Sequence, residues 1–346
     1  MSFWARSIRT SGRVLIRVLL WFVLPITLLG WAMLSMPGTS FQGALPAFTA
    51  AERALAAALE KQVQVIAREE HNTTRPLALE DVALHLESEL AAMGYAVQRQ
   101  VFKSRHGVVR NLEVEVRGTA LPEEIVIVGA HYDSARGTPG ANDNGSGTAM
   151  TLELARRFHG QTPARTLRFV FFVNEEPPYF KRADMGSRVY ADRSAERREN
   201  IVAMLSLETL GYYDELPGSQ HYPMLLAPFF PTRGNFVAFV SNFGSRDLLH
   251  RSLKHFRATT PFPSEGIAAP SFVTGVDWSD HASFWRHGWP ALMLSDTAIF
   301  RYPQYHGRVD TPDQLDYPRM ARITFGIERV IEMLTASEAR VTGPLR

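Results

Sequence analysis

The stretch Ile125–Gly147, IVIVGAHYDSARGTPGANDNGSG, constrains the fold more than any other. Its opening apolar run, Ile125–Val128, is short enough for a buried strand. The run stops at Gly129-Ala130, and His131 and Asp133 follow at once. A loop rich in Gly and Pro then carries Asn142-Asp143-Asn144, and Thr148–Phe158 has helical spacing. An imidazole and two carboxylates thus stand where a strand gives way to a helix, the edge at which open α/β sheets bind ligands. The chemistry this suggests is metal binding. Histidine offers a neutral nitrogen, aspartate a hard oxygen able to bridge two ions, and zinc accepts both. Positions i and i+2 of an extended segment share a face, so the Asp133 carboxylate is expected to fix the ring of His131. The plainer alternative is a polar loop with an Asp capping a helix.

The rest of the chain alternates between the two periodicities. Strands are expected at Val97–Phe102, Leu112–Val116, Ile125–Val128, Leu167–Val173, Ala203–Leu207, Phe236–Val240 and Ala291–Leu294. Helices are expected at Thr148–Phe158, Ser187–Arg193, Arg246–Phe256 and Pro318–Leu334. Ahead of them, Thr49-Ala-Ala-Glu52 forms a capping box before an apolar stripe of Leu55, Leu59, Val63 and Ile66. A second stripe, Leu79 to Met93, stops at Gly94. This pattern predicts a single α/β domain over residues 49–346, with a mixed, mostly parallel central sheet flanked by helices. Residues 257–280, with three prolines, read as a long loop of the kind that borders a site.

The N-terminus reads differently. Residues 1–17 are basic through Arg6, Arg9, Arg13 and Arg17, and the first acid is Glu52. Residues 18–36, VLLWFVLPITLLGWAMLSM, carry no charge; as a helix they span about 28 Å, close to the hydrocarbon core of a bilayer. Arginines before the run predict a cytoplasmic N-terminus and a body on the extracytoplasmic side, periplasmic or extracellular. With no A-x-A site directly after it, the run is read as an uncleaved signal anchor; a cleaved signal peptide and a buried soluble helix are the alternatives. Residues 37–48 read as a linker. Without the four arginines, 33 of the 37 basic residues face 35 acids, so the body is near neutral and gives no nucleic-acid footprint.

The chain has no cysteine, which excludes disulfides, thiolate metal sites and a cysteine nucleophile. Ser146 is not in a G-x-S-x-G elbow, and no H-E-x-x-H helix occurs. The remaining candidates follow apolar strands. Glu175-Glu176 comes directly after Leu167–Val173, where ionised carboxylates are unusual unless paired. One can bind a metal while its neighbour serves as general base. Glu208 stands just past Ala203–Leu207. Two histidines compete for a place in the site: His306, in Tyr305-His306 before Asp310, and His281, in the polar-aromatic segment Asp277–Trp285.

Together these segments resemble the co-catalytic di-zinc exopeptidases, which include bacterial leucyl-type aminopeptidases, glutamate carboxypeptidase II and the glutaminyl cyclases. The likeness lies in GAHYDS, GANDNGSG, NEEPP, SLETLGYY, SDHASFW and YHGRVDTPDQLDY, in the family's order. The resemblance implies that His131 and Glu208 bind one Zn2+, Glu176 and His306 the other, and that Asp143 bridges them. It implies Glu175 as general base, Asp133 as the residue orienting His131, and Tyr305 as a hydrogen-bond donor to the oxyanion. It also favours His306 over His281. Many members carry Asp where this chain has Glu208, which keeps the carboxylate on a stem one methylene longer. The implied activity is that of a membrane-anchored zinc aminopeptidase acting on peptides with a free N-terminus. The alternatives are a glutaminyl-peptide cyclase of the same fold with one zinc, and a non-catalytic ectodomain.

Overall fold

In a computed structural model, which describes residues 21, 23–223 and 226–337, the apolar runs join one eight-stranded sheet. The strands are β1 Gln98–Ser104, β2 Gly107–Val116, β3 Leu121–His131, β4 Arg165–Phe172, β5 Asn200–Glu208, β6 Val237–Ser241, β7 Ser264–Ala268 and β8 Ala291–Ser295. Their order is β1-β2-β4-β3-β5-β8-β6-β7. The middle four, β4-β3-β5-β8, run parallel. The β1-β2, β2-β4 and β6-β8 pairs are antiparallel, and β7 is parallel to β6. The sheet is therefore mixed, and its parallel part is confined to the centre and one edge pair.

The helices are α1 Leu24–Leu34, α2 Ala50–Ile66, α3 Pro76–Ala92, α4 Gly147–Phe158, α5 Gly186–Glu196, α6 Arg246–Thr259, α7 His281–Trp285 and α8 Tyr317–Thr335. Period-two alternation along the strands divides the core. Val126, Val128, Leu205 and Leu207 face α2, α3, α4, α6 and α8. Ile125, Ile127 and Met204 face Tyr190 of α5 and Phe284 of α7. The capping box at α2 forms: the Glu52 N–H donates to Thr49 Oγ1 at 3.1 Å, and the Thr49 N–H donates to Glu52 Oε2 at 2.7 Å. The same Glu52 then accepts from Arg322 Nε of α8 at 2.6 Å, tying the helix start to the layer it packs on.

Two expectations are corrected. Residues 257–280 are not one long loop, because β7 forms within them by pairing with β6. The short helix α7 also goes beyond the expected set. The basic segment 1–17 and residues 18–20 and 22 of the expected span lie outside the described residues. Leu24–Leu34 of that span form α1, and among the described residues no helix is long and apolar enough to cross a membrane. Residues 37–48 have no helix or strand, but they lie against the domain. Arg257 Nη1 donates to the Pro37 carbonyl at 2.9 Å and Arg322 Nη2 to that of Pro46 at 2.9 Å.

Candidate metal centre

Parallel strands present their C-terminal ends along one edge, and the candidate donors gather there. His131 is the last residue of β3, Glu175 and Glu176 follow β4, and Glu208 is the last residue of β5. Asp143 comes from the turn between β3 and α4. That turn is hung from later parts of the chain. Asp310 accepts the N–H of Asn142 at 2.7 Å and of Asp143 at 3.2 Å, and it also accepts the Tyr302 hydroxyl at 2.9 Å. Asn142 Nδ2 donates to Asp296, just past β8, at 2.9 Å. Asn144 bridges to the end of β5: its Oδ1 accepts from the Thr209 N–H at 3.1 Å and its Nδ2 donates to the Leu207 carbonyl at 2.9 Å. A Cβ at Gly147 would run into that carbonyl and the Asn144 side chain, so glycine is what lets α4 start this close to the strand.

The donors form two groups that share one residue. His131, Asp143 and Glu208 make the first; Asp143, Glu176 and His306 make the second. His131 Nε2 lies 3.3 Å from Asp143 Oδ1 and 3.4 Å from Glu208 Oε2. His306 Nε2 lies 3.0 Å from Asp143 Oδ2 and 3.2 Å from Glu176 Oε2. Asp143 thus turns one oxygen to each group. Donors on a tetrahedral zinc at about 2.1 Å are about 3.4 Å apart, so these separations suit a small dication.

Hydrogen-bond chemistry also calls for a cation. His131 Nδ1 lies 3.0 Å from the Asp133 carbonyl, which turns Nε2 to the carboxylates; burial works to lower the ring, but Glu208, Asp133 and Asp143 prevail and raise it well above its ordinary value. Nε2 is buried without a hydrogen-bond partner, as is Glu176 Oε1. A buried nitrogen among carboxylates is a place that a positive charge, a proton or a shared metal ion, satisfies.

Electrostatics agree. Burial and the neighbouring Asp143 push Glu176 up to about 8, against the pull of His306. Burial likewise raises Glu175 and Glu208, with His131 working against it in both cases. Burial works to lower His306, but its bonds to Asp143 and Glu176 prevail and raise it to about 10. Four buried carboxylates against two imidazoles leave an excess of negative charge that a bound cation relieves.

The other expected residues are placed as follows. Glu175 Oε2 is 4.0 Å from His131 Nε2 and belongs to neither donor group. Asp133 meets the His131 ring mainly through its carbonyl, 3.0 Å from Nδ1, with the carboxylate Oδ1 at 3.7 Å. That carboxylate also accepts the N–H groups of Glu175 at 3.0 Å and Glu176 at 3.2 Å, because it points across to the end of β4. Tyr305 stacks on the His306 ring, with centroids 4.0 Å apart. His281 stays out of both groups; it is buried, with Nε2 2.8 Å from the Val276 carbonyl. Burial lowers it to about 4.

Sequence reasoning missed several supports. Ser279 Oγ donates to Glu208 Oε2 at 2.7 Å, and no spacing signals such a contact. Asp296 has a sequence signal, since it follows the apolar run Ala291–Leu294 closely, much as Glu208 follows Ala203–Leu207. A cavity of about 120 Å³ opens at Glu208 and Tyr305 and is walled by apolar side chains that include Phe236, Val240, Ile267 and Met293.

Residues 111–331, which include every donor, match the model of "Peptidase family M28". "Uncharacterized protein YfbL" of Escherichia coli (strain K12) is 34% identical over 284 residues, covering 78% of this chain and 85% of that protein. "Probable aminopeptidase YDR415C" of Saccharomyces cerevisiae is 28% identical over 227 residues, 61% of this chain and 53% of that protein, so the chain spans about half of that relative's length. The fold is shared with the LapA aminopeptidase of Legionella pneumophila, at a TM-score of 0.66 and 19% identity over 86% of this chain and 79% of that one. It is shared too with the glutaminyl cyclase of Fimbriiglobus ruber, at 0.62 and 18% over 86% and 99%. With more than half of its length matched, and with YfbL aligned over most of both chains, this chain belongs to peptidase family M28.

Proposed function

We propose that this chain is a membrane-anchored, zinc-dependent aminopeptidase that removes N-terminal residues from peptides. The observation that carries the reading is the pair of donor groups joined through Asp143, beside Glu175 and open to an apolar cavity. In this reading His131 and Glu208 would hold one Zn2+ and Glu176 and His306 the other, with Asp143 serving both. Zinc, when bound, supplies a Lewis acid that polarises a peptide carbonyl and acidifies water. Glu175 takes the proton of the attacking water on its carboxylate and returns it to the leaving amine. The Tyr305 hydroxyl donates to the developing oxyanion. Asp133 holds Glu175 and Glu176 in place through their main-chain N–H groups. The cavity takes an apolar side chain from the substrate's first residue.

The test is zinc per chain together with turnover of a panel of aminoacyl-anilides, before and after chelation and zinc add-back. Two zincs with chelator-sensitive release of apolar N-terminal residues is the expected result. One zinc, cyclisation of N-terminal glutamine and no peptidase activity would overturn it in favour of a cyclase. Residues 18–36 are proposed to hold the chain to the membrane with residues 49–346 extracytoplasmic. The uncharged run behind four arginines supports this. Retention in the pellet after alkaline extraction, with the domain open to added protease in cells whose cytoplasm is sealed, is the expected outcome.

A further inference from the structure

The apolar helix α1 does not hang free of the domain. None of its residues is buried, and Ile26 and Trp31 are about two-thirds exposed, at 68% and 66%. Its C-terminal end, however, is clasped. Arg246, the first residue of α6, donates from Nε to the Ala32 carbonyl at 2.9 Å and from Nη2 to Ser35 Oγ at 2.7 Å. Its guanidinium lies 5.9 Å from the Trp31 ring centroid. A cation here also suits the negative end of the helix. Arg257 then grips Pro37 and Gly38, and the Ser264 N–H donates to Ser40 Oγ at 2.9 Å.

This clasp sets α1 beside the cavity. Met33 packs on a cluster of Phe236, Ala238, Val240, Val276 and Met293, and the same side chains wall the cavity. Met36 approaches so close to Gly266 that a Cβ there would lie 2.9 Å from its sulfur. Around the cavity, Trp278 and Ile299 are lining residues that stay exposed. Phe272 and Phe229 stand next to the lining residues Val273 and Phe230, and Phe272 is 86% exposed. Single exposed apolar residues are ordinary. Several around one cavity, next to a helix with no polar face, form a patch that needs a partner.

We infer that α1 and the cavity rim form one lipid-facing surface, so that the cavity opens at the interface of a phospholipid bilayer. The uncharged run continuous with α1 in sequence identifies lipid as the occupant, and exposed aromatic side chains suit that depth. The substrates reached from such a mouth are peptides whose apolar N-terminal residues partition into the membrane surface. The inference deepens the anchored-aminopeptidase reading and rests on it.

The absence of native cysteine makes the test clean. Full-length Phe272→Cys carries an environment-sensitive fluorophore at the rim. Full-length Lys103→Cys carries it on β1, at the opposite edge of the sheet. Both are reconstituted into phosphatidylcholine–phosphatidylglycerol vesicles with or without nitroxide-labelled lipid. The expected result is co-flotation of both proteins, with a blue-shifted and several-fold quenched label at position 272 and an unchanged one at 103. Arg246→Ala should keep flotation and zinc content but remove most of that difference. Flotation with position 272 no more quenched than 103 would overturn the inference while leaving the anchor intact. Equal quenching of both labels would also overturn it, as general adsorption. A blue shift that depends on protein concentration and not on lipid would assign the patch to a second copy. Failure to float would remove the anchor reading and this inference with it.

Discussion

The two halves of the metal centre share Asp143 but are built differently. The His131–Glu208 half is borne on the ends of two adjacent parallel strands, and its side chains are almost wholly enclosed, at 1% and 8% exposure. Asp133's carbonyl, Ser279 and Asn144 each fix one of its donors or the backbone beside it. The Glu176–His306 half takes one ligand from beyond β4 and the other from a loop. His306 is 35% exposed and adopts φ +55°, a left-handed conformation that costs a non-glycine residue about 1–2 kcal/mol. It is held by stacking on Tyr305 and by the turn that leads to Asp310. One half is thus preorganised by the sheet, whereas the other depends on the loop after β8.

The sharpest way to break this contrast is to remove what the halves share. On the proposed reading of two zincs per chain, Asp143→Ala should remove both and cut activity to background, with the circular dichroism of the fold retained. Glu175→Gln should keep both zincs and lower kcat by about 10²- to 10⁴-fold, the range of a positioned general base. Near wild-type turnover would remove Glu175 from that role. His306→Ala should leave one zinc, held in the enclosed half, and graded chelation of the unaltered protein should release its zincs in two stages, the His306 half first. Release in a single stage would show that the halves do not differ. The smallest effect belongs to Ser279→Ala, which should weaken only the enclosed ion, by about 10- to 100-fold, the usual cost of removing a partner that orients a ligand.

The same contrast explains what could be read from the sequence. Donors at strand ends were legible because a buried apolar run announces the strand and the residue after it has a defined position. This holds for His131, Glu176 and Glu208. The loop-borne ligand was not: spacing left His281 and His306 as rivals, and only the family resemblance separated them. The further contacts of Asp133 lie beyond local spacing for a related reason. Period-two logic puts it on the His131 face, but His131 ends β3, and past the strand end the carboxylate turns to β4. β7 escaped notice because Ser264–Ala268, SEGIA, has a glycine and a glutamate in five residues and a proline just before it. Its extended form comes from pairing with β6 rather than from local preference.

The turn that carries Asp143 is suspended from Asp310, 167 residues later in the chain. A ribosome that has emitted only β3, β4 and β5 has therefore produced most of the ligands without the hook that sets the shared one. The position of the shared donor is therefore set only where the segment around residue 310 lies over the sheet.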